Sequence, residues 1–131
     1  MTRVNQNKPD QLHVRSKANG DRTIDVITLK QSATVYKAGT VVVAEYTGAS
    51  GSQVATGLYI DPASAVDVTT YDRIKVAVLN DRVDATAGSH AAVAITRAAE
   101  VYGQWISLKD LATVEKAVVA AALDAAGIVV R

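Results

Sequence analysis

The chain has 131 residues, 0 Cys and a formal net charge of +1; it is 49% hydrophobic but only 5% aromatic. A domain of this length buries a core without staples, and the missing cysteines exclude disulfide scaffolds, thiolate metal sites and cysteine nucleophiles. Scarce aromatic faces and near-zero charge argue against direct nucleic-acid binding, and the longest unbroken apolar run, residues 117–123, is far short of the roughly 20 that a membrane span needs.

Residues 1–22 are polar with no regular hydrophobic period, so they are expected to form a flexible basic arm ahead of one domain, 23–131. Residues 1–30 carry Arg3, Lys8, Arg15, Lys17, Arg22 and Lys30 against Asp10, Asp21 and Asp25, a net +3, while residues 31–131 carry a net −2. The opening residues lack the apolar core of a secretory signal, and a soluble, non-exported protein is expected.

From Thr23 the pattern changes. Residues 23–29 are β-branched and roughly alternating, a strand candidate. Residues 34–36 are a short extended piece before a turn at Ala38-Gly39. Residues 40–46, centred on Val41, Val42 and Val43, read as a strand buried on both faces. A loop follows over 47–52, then a strand over 54–60 in which Gly57 marks a bulge or a close approach. A turn at Asp61-Pro62 and a short piece at 66–68 lead to a strand over 73–79, with Ile74, Val76 and Val78 on one side. Asn80-Asp81 and residues 84–88 are turns. Residues 91–97 form a strand, extended over 99–102 after a break, and Gly103 opens the change to helix.

The one helix is placed after an N-cap pattern of Ser107 and Asp110, with Thr113 a rival cap. Its packing stripe is read as Leu111, Val114, Val118, Ala121, Ala122 and Ala125. Gly127 suits a left-handed C-terminal cap with Ile128 as its hydrophobic contact, and residues 128–130 leave as a terminal strand. The sum is an α+β chain, mainly β, with one C-terminal α-helix. Hairpin-length loops imply antiparallel strands in a sandwich, barrel-like or clip-like fold.

Candidate chemistry is sparse. His90, Asp84 and Ser89 could be drawn as a triad, but no nucleophile elbow accompanies them and a solvated loop histidine is the better reading. His13 lies in the arm, where nothing holds it against a partner group. Asp61, Asp67, Asp72, Asp81, Asp84 and Asp110 lack calcium-loop spacing and read as turn formers. Phosphate loops are absent, and Trp105 reads as a core or interface anchor. No catalytic residue, cofactor or metal is assigned. A basic arm on a β-rich body reads as an assembly module that docks on an acidic protein surface, with Arg3, Lys8, Arg15, Lys17 and Arg22 as the inferred contacts.

From Gly39 to Arg131 the chain resembles the lambda-type bacteriophage head decoration proteins. The likeness rests, in order, on Ala38-Gly39-Thr40-Val41-Val42, on Ala77-Val78-Leu79 with Val83-Asp84-Ala85-Thr86-Ala87-Gly88, on residues 93–101, and on Leu123-Asp124-Ala125-Ala126-Gly127-Ile128-Val129. Where the family often reads Arg-Gly-Ala, this chain has Arg97-Ala98-Ala99. The resemblance implies a small β-clip with short helices. It implies a homotrimer at (quasi-)three-fold sites on the outside of an expanded capsid, stabilising the major capsid protein against packaged DNA. It also implies a virion location after synthesis in the bacterial host cytoplasm, and an arm that orders on the shell. No family catalytic residue carries over, and no single arm contact transfers. A tail, fibre or other virion trimerisation module is the alternative; a small trimeric enzyme using Asp81 and Asp84 is a third reading.

Overall fold

The structure is a computed structural model that describes residues 13–17, 23–62 and 68–131. Arg3, Lys8, Asp10, Asp21, Arg22 and Asp67 of the residues singled out above lie outside these, as does residue 66 of the expected short piece.

The described chain is α+β, mainly β, with one α-helix. Its strands are β1 (Val14–Lys17), β2 (Ile24–Leu29), β3 (Val41–Thr47), β4 (Val54–Ile60), β5 (Val76–Leu79), β6 (His90–Ile95), β7 (Ala99–Val101) and β8 (Ile128–Val130), and the helix α1 is Thr113–Ala125. Five strands close a barrel in the order β2-β4-β3-β5-β6, and the other three form a sheet ordered β1-β7-β8.

Strand alternation explains why residues 41–44 and 76–79 are buried without exception. Val42, Ala44, Ala77 and Leu79 point into the barrel, where they meet Ile27, Leu29, Tyr59, Ala92 and Ala94. Val41, Val43, Val76 and Val78 point outward into a second core with Ile95, Val101, Leu111, Val119, Leu123 and Ile128. A five-stranded barrel has a narrow lumen, because diameter grows with strand number. The alanines therefore have a packing role: Ala77, Ala85 and Ala94 are fully buried. The valines and leucines at the centre each contribute about 1.5–3 kcal/mol by leaving water.

Two backbone specials fit the expected turns. Gly57 has φ +87°, and Ala44↔Tyr59 with Tyr46↔Ala55 sets four steps on β4 against two on β3, so the bulge is real. Gly127 has φ +76° and donates its N–H to the Asp124 carbonyl at 2.9 Å, ending α1 so that the fully packed Ile128 can begin β8. A third special was not foreseen. Ala98 adopts φ +53° between β6 and β7, where the chain leaves the barrel for the second sheet. That conformation costs an L-residue roughly 1–2 kcal/mol.

Several expectations are corrected. Residues 14–17, assigned to the arm, are β1, with Val14↔Val101 and Lys17↔Ala99 in register. His13 is fully buried rather than unheld, and its carbonyl accepts the Tyr102 N–H at 2.8 Å. The pairing is not all antiparallel: β2–β4 and β7–β8 are parallel. Residues 99–102 do not prolong β6 but enter the other sheet. Residues 73–75 precede β5, although the Ala44 N–H still donates to the Lys75 carbonyl at 2.9 Å. Val68 begins a 3-10 turn, Val68–Thr70, rather than ending an extended piece.

The helix start also differs. Ser107–Asp110 is a 3-10 turn, Ala112 is the N-cap without a side-chain bond, and Thr113 is the first helical residue. The Ser107 hydroxyl instead accepts the Val41 N–H at 2.8 Å, tying this turn to the start of β3. Leu111 is buried but extended (φ −78°, ψ 152°), so it cannot set the phase of a helical stripe. The line that packs is Val119 and Leu123, flanked by Val118, Ala122 and Ala126, while Val114 is 63% exposed.

Candidate functional site

The residues considered for catalysis form no hydrogen-bonded triad, although the Asp84 pKa, lowered chiefly by Thr86, takes a further contribution from nearby His90. His90 is the exposed first residue of β6, not a loop residue, and its Nδ1 lies 2.7 Å from the Ala91 carbonyl oxygen. The Asp84 carboxylate accepts the Thr86 hydroxyl at 2.6 Å and the Thr86 N–H at 3.0 Å. Those two bonds hold its pKa below the usual carboxylate value. This is the local turn that the sequence suggested. Among the described residues no hydrogen bond joins His90, Asp84 and Ser89, and no three metal-ligating side chains converge.

Asp72 also serves a loop. It accepts the Gly51 N–H at 2.7 Å and the Ser50 hydroxyl at 3.0 Å, while its own N–H donates to Gln53 Oε1 at 2.8 Å. The Gly51 amide first, then the Ser50 hydroxyl, lowers the Asp72 pKa. A lowered native value means the anchoring is complete above the unfolded carboxylate value near 4 and is lost as pH falls through the native one. The Gly51 amide is therefore expected to lose hydrogen-exchange protection on acidification below about pH 4. In Asp72→Asn that pH dependence should vanish; a wild-type amide insensitive to pH would contradict the assignment.

Of the inferred contact residues, Arg15 and Lys17 sit on β1. The Arg15 guanidinium lies 3.5 Å from Glu100 and 5.9 Å from the centroid of the Tyr102 ring, so its charge is engaged within the chain. Arg131 approaches the same Glu100 carboxylate at 3.2 Å.

Two apolar patches remain on the surface. On the barrel wall Val26, 72% exposed, faces Val93 across β2–β6. At the end of the three-stranded sheet Tyr102, Trp105, Val129 and Val130 are all more than a third exposed. There Gly103 permits close approach, since a Cβ on it would meet Val130 Cγ1 at 3.1 Å. Trp105 thus ends in the surface position open to an interface anchor, at the close of the 3-10 turn Gly103–Trp105.

A cleft of about 760 Å³ lies between β2, β4 and the end of α1. At its rim Arg97 donates to Asp25 at 2.6 Å, and the Thr96 hydroxyl donates to the same carboxylate at 2.7 Å. The Arg97 bond foremost, with that of Thr96, holds the Asp25 pKa below its ordinary value. Tyr59, on the lining, has its pKa raised chiefly by burial. Asp25 and Arg97 neutralise each other, and Lys75 on the lining makes no ion pair among the described residues. Sequence reasoning missed this cleft: its lining is gathered from five segments between Asp25 and Ala126, and the alternation of β2 does not reveal which edge is covered. No protein-family model, curated protein or solved structure gives a significant match to the chain.

Proposed function

We propose that the chain is a structural decoration protein. In this reading it binds as a homotrimer to the outer surface of an expanded phage head and stabilises the major capsid protein lattice there. The observation that carries the reading is Ala98. The resembling family often has glycine at this point of the Arg-Gly-Ala run, and here the backbone is left-handed, the conformation glycine adopts without strain. Other resembling segments include the Gly39 turn into β3, Ala77–Leu79 within β5, and the Gly127 cap into β8.

A cyclic trimer needs two different patches on each subunit, complementary to one another rather than each to itself. The barrel-wall valines and the Tyr102–Trp105–Val130 surface offer two candidates. Stabilisation would follow from linkage: a protein that binds the expanded shell and not its precursor favours the former by mass action.

Electron microscopy of native particles tests the reading. Protrusions at three-fold positions are expected, together with a trimer in sedimentation of the free protein at micromolar concentration. Bare three-fold positions, or a free monomer that adds to no expanded head, would overturn it.

A further inference from the structure

We propose that the seam between β2 and β4 is a strand-acceptor groove for an extended, carboxylate-bearing segment of a partner protein. The groove stands on its own geometry, whether or not the chain decorates a shell.

The barrel closes between these strands through one registered pair, Leu29↔Tyr59, beside which the Lys30 N–H donates to the Tyr59 carbonyl at 2.9 Å. On its other side β2 is registered with β6 along its whole length, from Ile24↔Ile95 to Leu29↔His90. Backbone groups of alternate residues point to the same side of a strand. The N–H groups of Val26 and Thr28 therefore point as that of Lys30 does, away from β6 and toward β4, which has already diverged.

The divergence has a cause on β4. The bulge at Gly57 adds two residues relative to β3, and a Cβ built on Gly57 would find nothing within 4 Å. Both edges line the cleft, and Ala122, Ala125 and Ala126 of the helix end supply a wall of small side chains that a backbone can approach closely. Five residues of β2, 24–28, offer about 17 Å of edge. Exposed edges are commonly blunted by charged side chains, Lys above all, or by Pro; this stretch, Ile-Asp-Val-Ile-Thr, has neither Lys nor Pro, and its one charge, Asp25, is held by Arg97.

Unfilled strand edges select an extended backbone, the general mode of β-augmentation. Charge selects the rest. The lining sets the two cations Arg97 and Lys75 against the single carboxylate Asp25, which Arg97 bonds directly, so the net charge there is positive. A carboxylate on the incoming strand complements it, whereas a second copy of this chain would bring Lys75 against Lys75.

The test titrates the full chain, isotope-labelled, with a capped octapeptide of alternating valine and threonine bearing one central glutamate. A second peptide carries lysine in that position. The Val26 and Thr28 amides are expected to shift and to gain about tenfold hydrogen-exchange protection with the glutamate peptide. The lysine peptide should bind about fivefold more weakly, and Lys75→Glu should reverse the preference. Val26→Pro removes one edge donor without touching the β6 side and should weaken binding about fivefold; Lys75→Glu decides the matter if that variant does not fold. Unmoved Val26 and Thr28 amides, or equal affinity for the two peptides, would overturn the proposal. So would protection of the same amides in the protein alone that rises with its concentration, which assigns the edge to a second copy.

Discussion

Replacing Leu123 by alanine is expected to destabilise the chain by about 3 kcal/mol, within the range for truncating a buried leucine. Leu123 is fully buried, and it joins the helix to the outer valines of β3 and β5. Most of its neighbours in that core, including Val41, Val43, Val76, Val78 and Ile95, are held by paired strands and cannot shift cheaply into the gap. A domain of this size has about 5–15 kcal/mol in total, so the urea midpoint should fall steeply at unchanged slope. Val114→Ala on the same helix should stay within about 0.5 kcal/mol, as surface substitutions do, since Val114 is 63% exposed. The pair of variants tests the phase of α1. The stripe read from sequence expects Val114 to matter; the packed helix makes Leu123 the costly position. Equal losses at both sites would contradict the observed face.

Removing residues 1–12 is the second large effect. On the proposed decoration reading, the shortened chain should melt with the full-length protein yet bind expanded heads about a hundredfold more weakly, near 2.8 kcal/mol. The cut belongs before His13 for a structural reason. Deleting residues 1–22 would also remove β1, its Val14↔Val101 register, the Arg15–Glu100 ion pair and the His13 carbonyl that accepts the Tyr102 N–H. A folding defect would then masquerade as a binding defect. Undiminished binding by the chain starting at residue 13 would remove the arm from the mechanism.

Much of the fold was legible because it is written locally. The double-faced burial of β3 follows from consecutive valines, and the bulge in β4 and the cap after α1 follow from Gly57 and Gly127. Asp84 was recognisable as a turn former because its partners are two residues away. Errors came where a residue's role depends on distant neighbours. Ser107 looks like a helix cap and instead bonds Val41, 66 positions earlier. Leu111 has helical spacing to Val118 but is held extended by the turn before it. His13 sits in a polar stretch and is nevertheless fully buried, its carbonyl bonded by the Tyr102 N–H.

By itself, the sequence determined the α+β class, most strand positions and the helix end. These depend on side-chain alternation, glycine conformation and composition, all properties of neighbours along the chain. Only the tertiary structure decided which strands pair, that β3 and β5 separate two cores, and that β2 and β4 part beside Gly57. Those depend on closing a narrow barrel from segments far apart, and the open edge beside Lys75 exists because that closure rests on one registered pair.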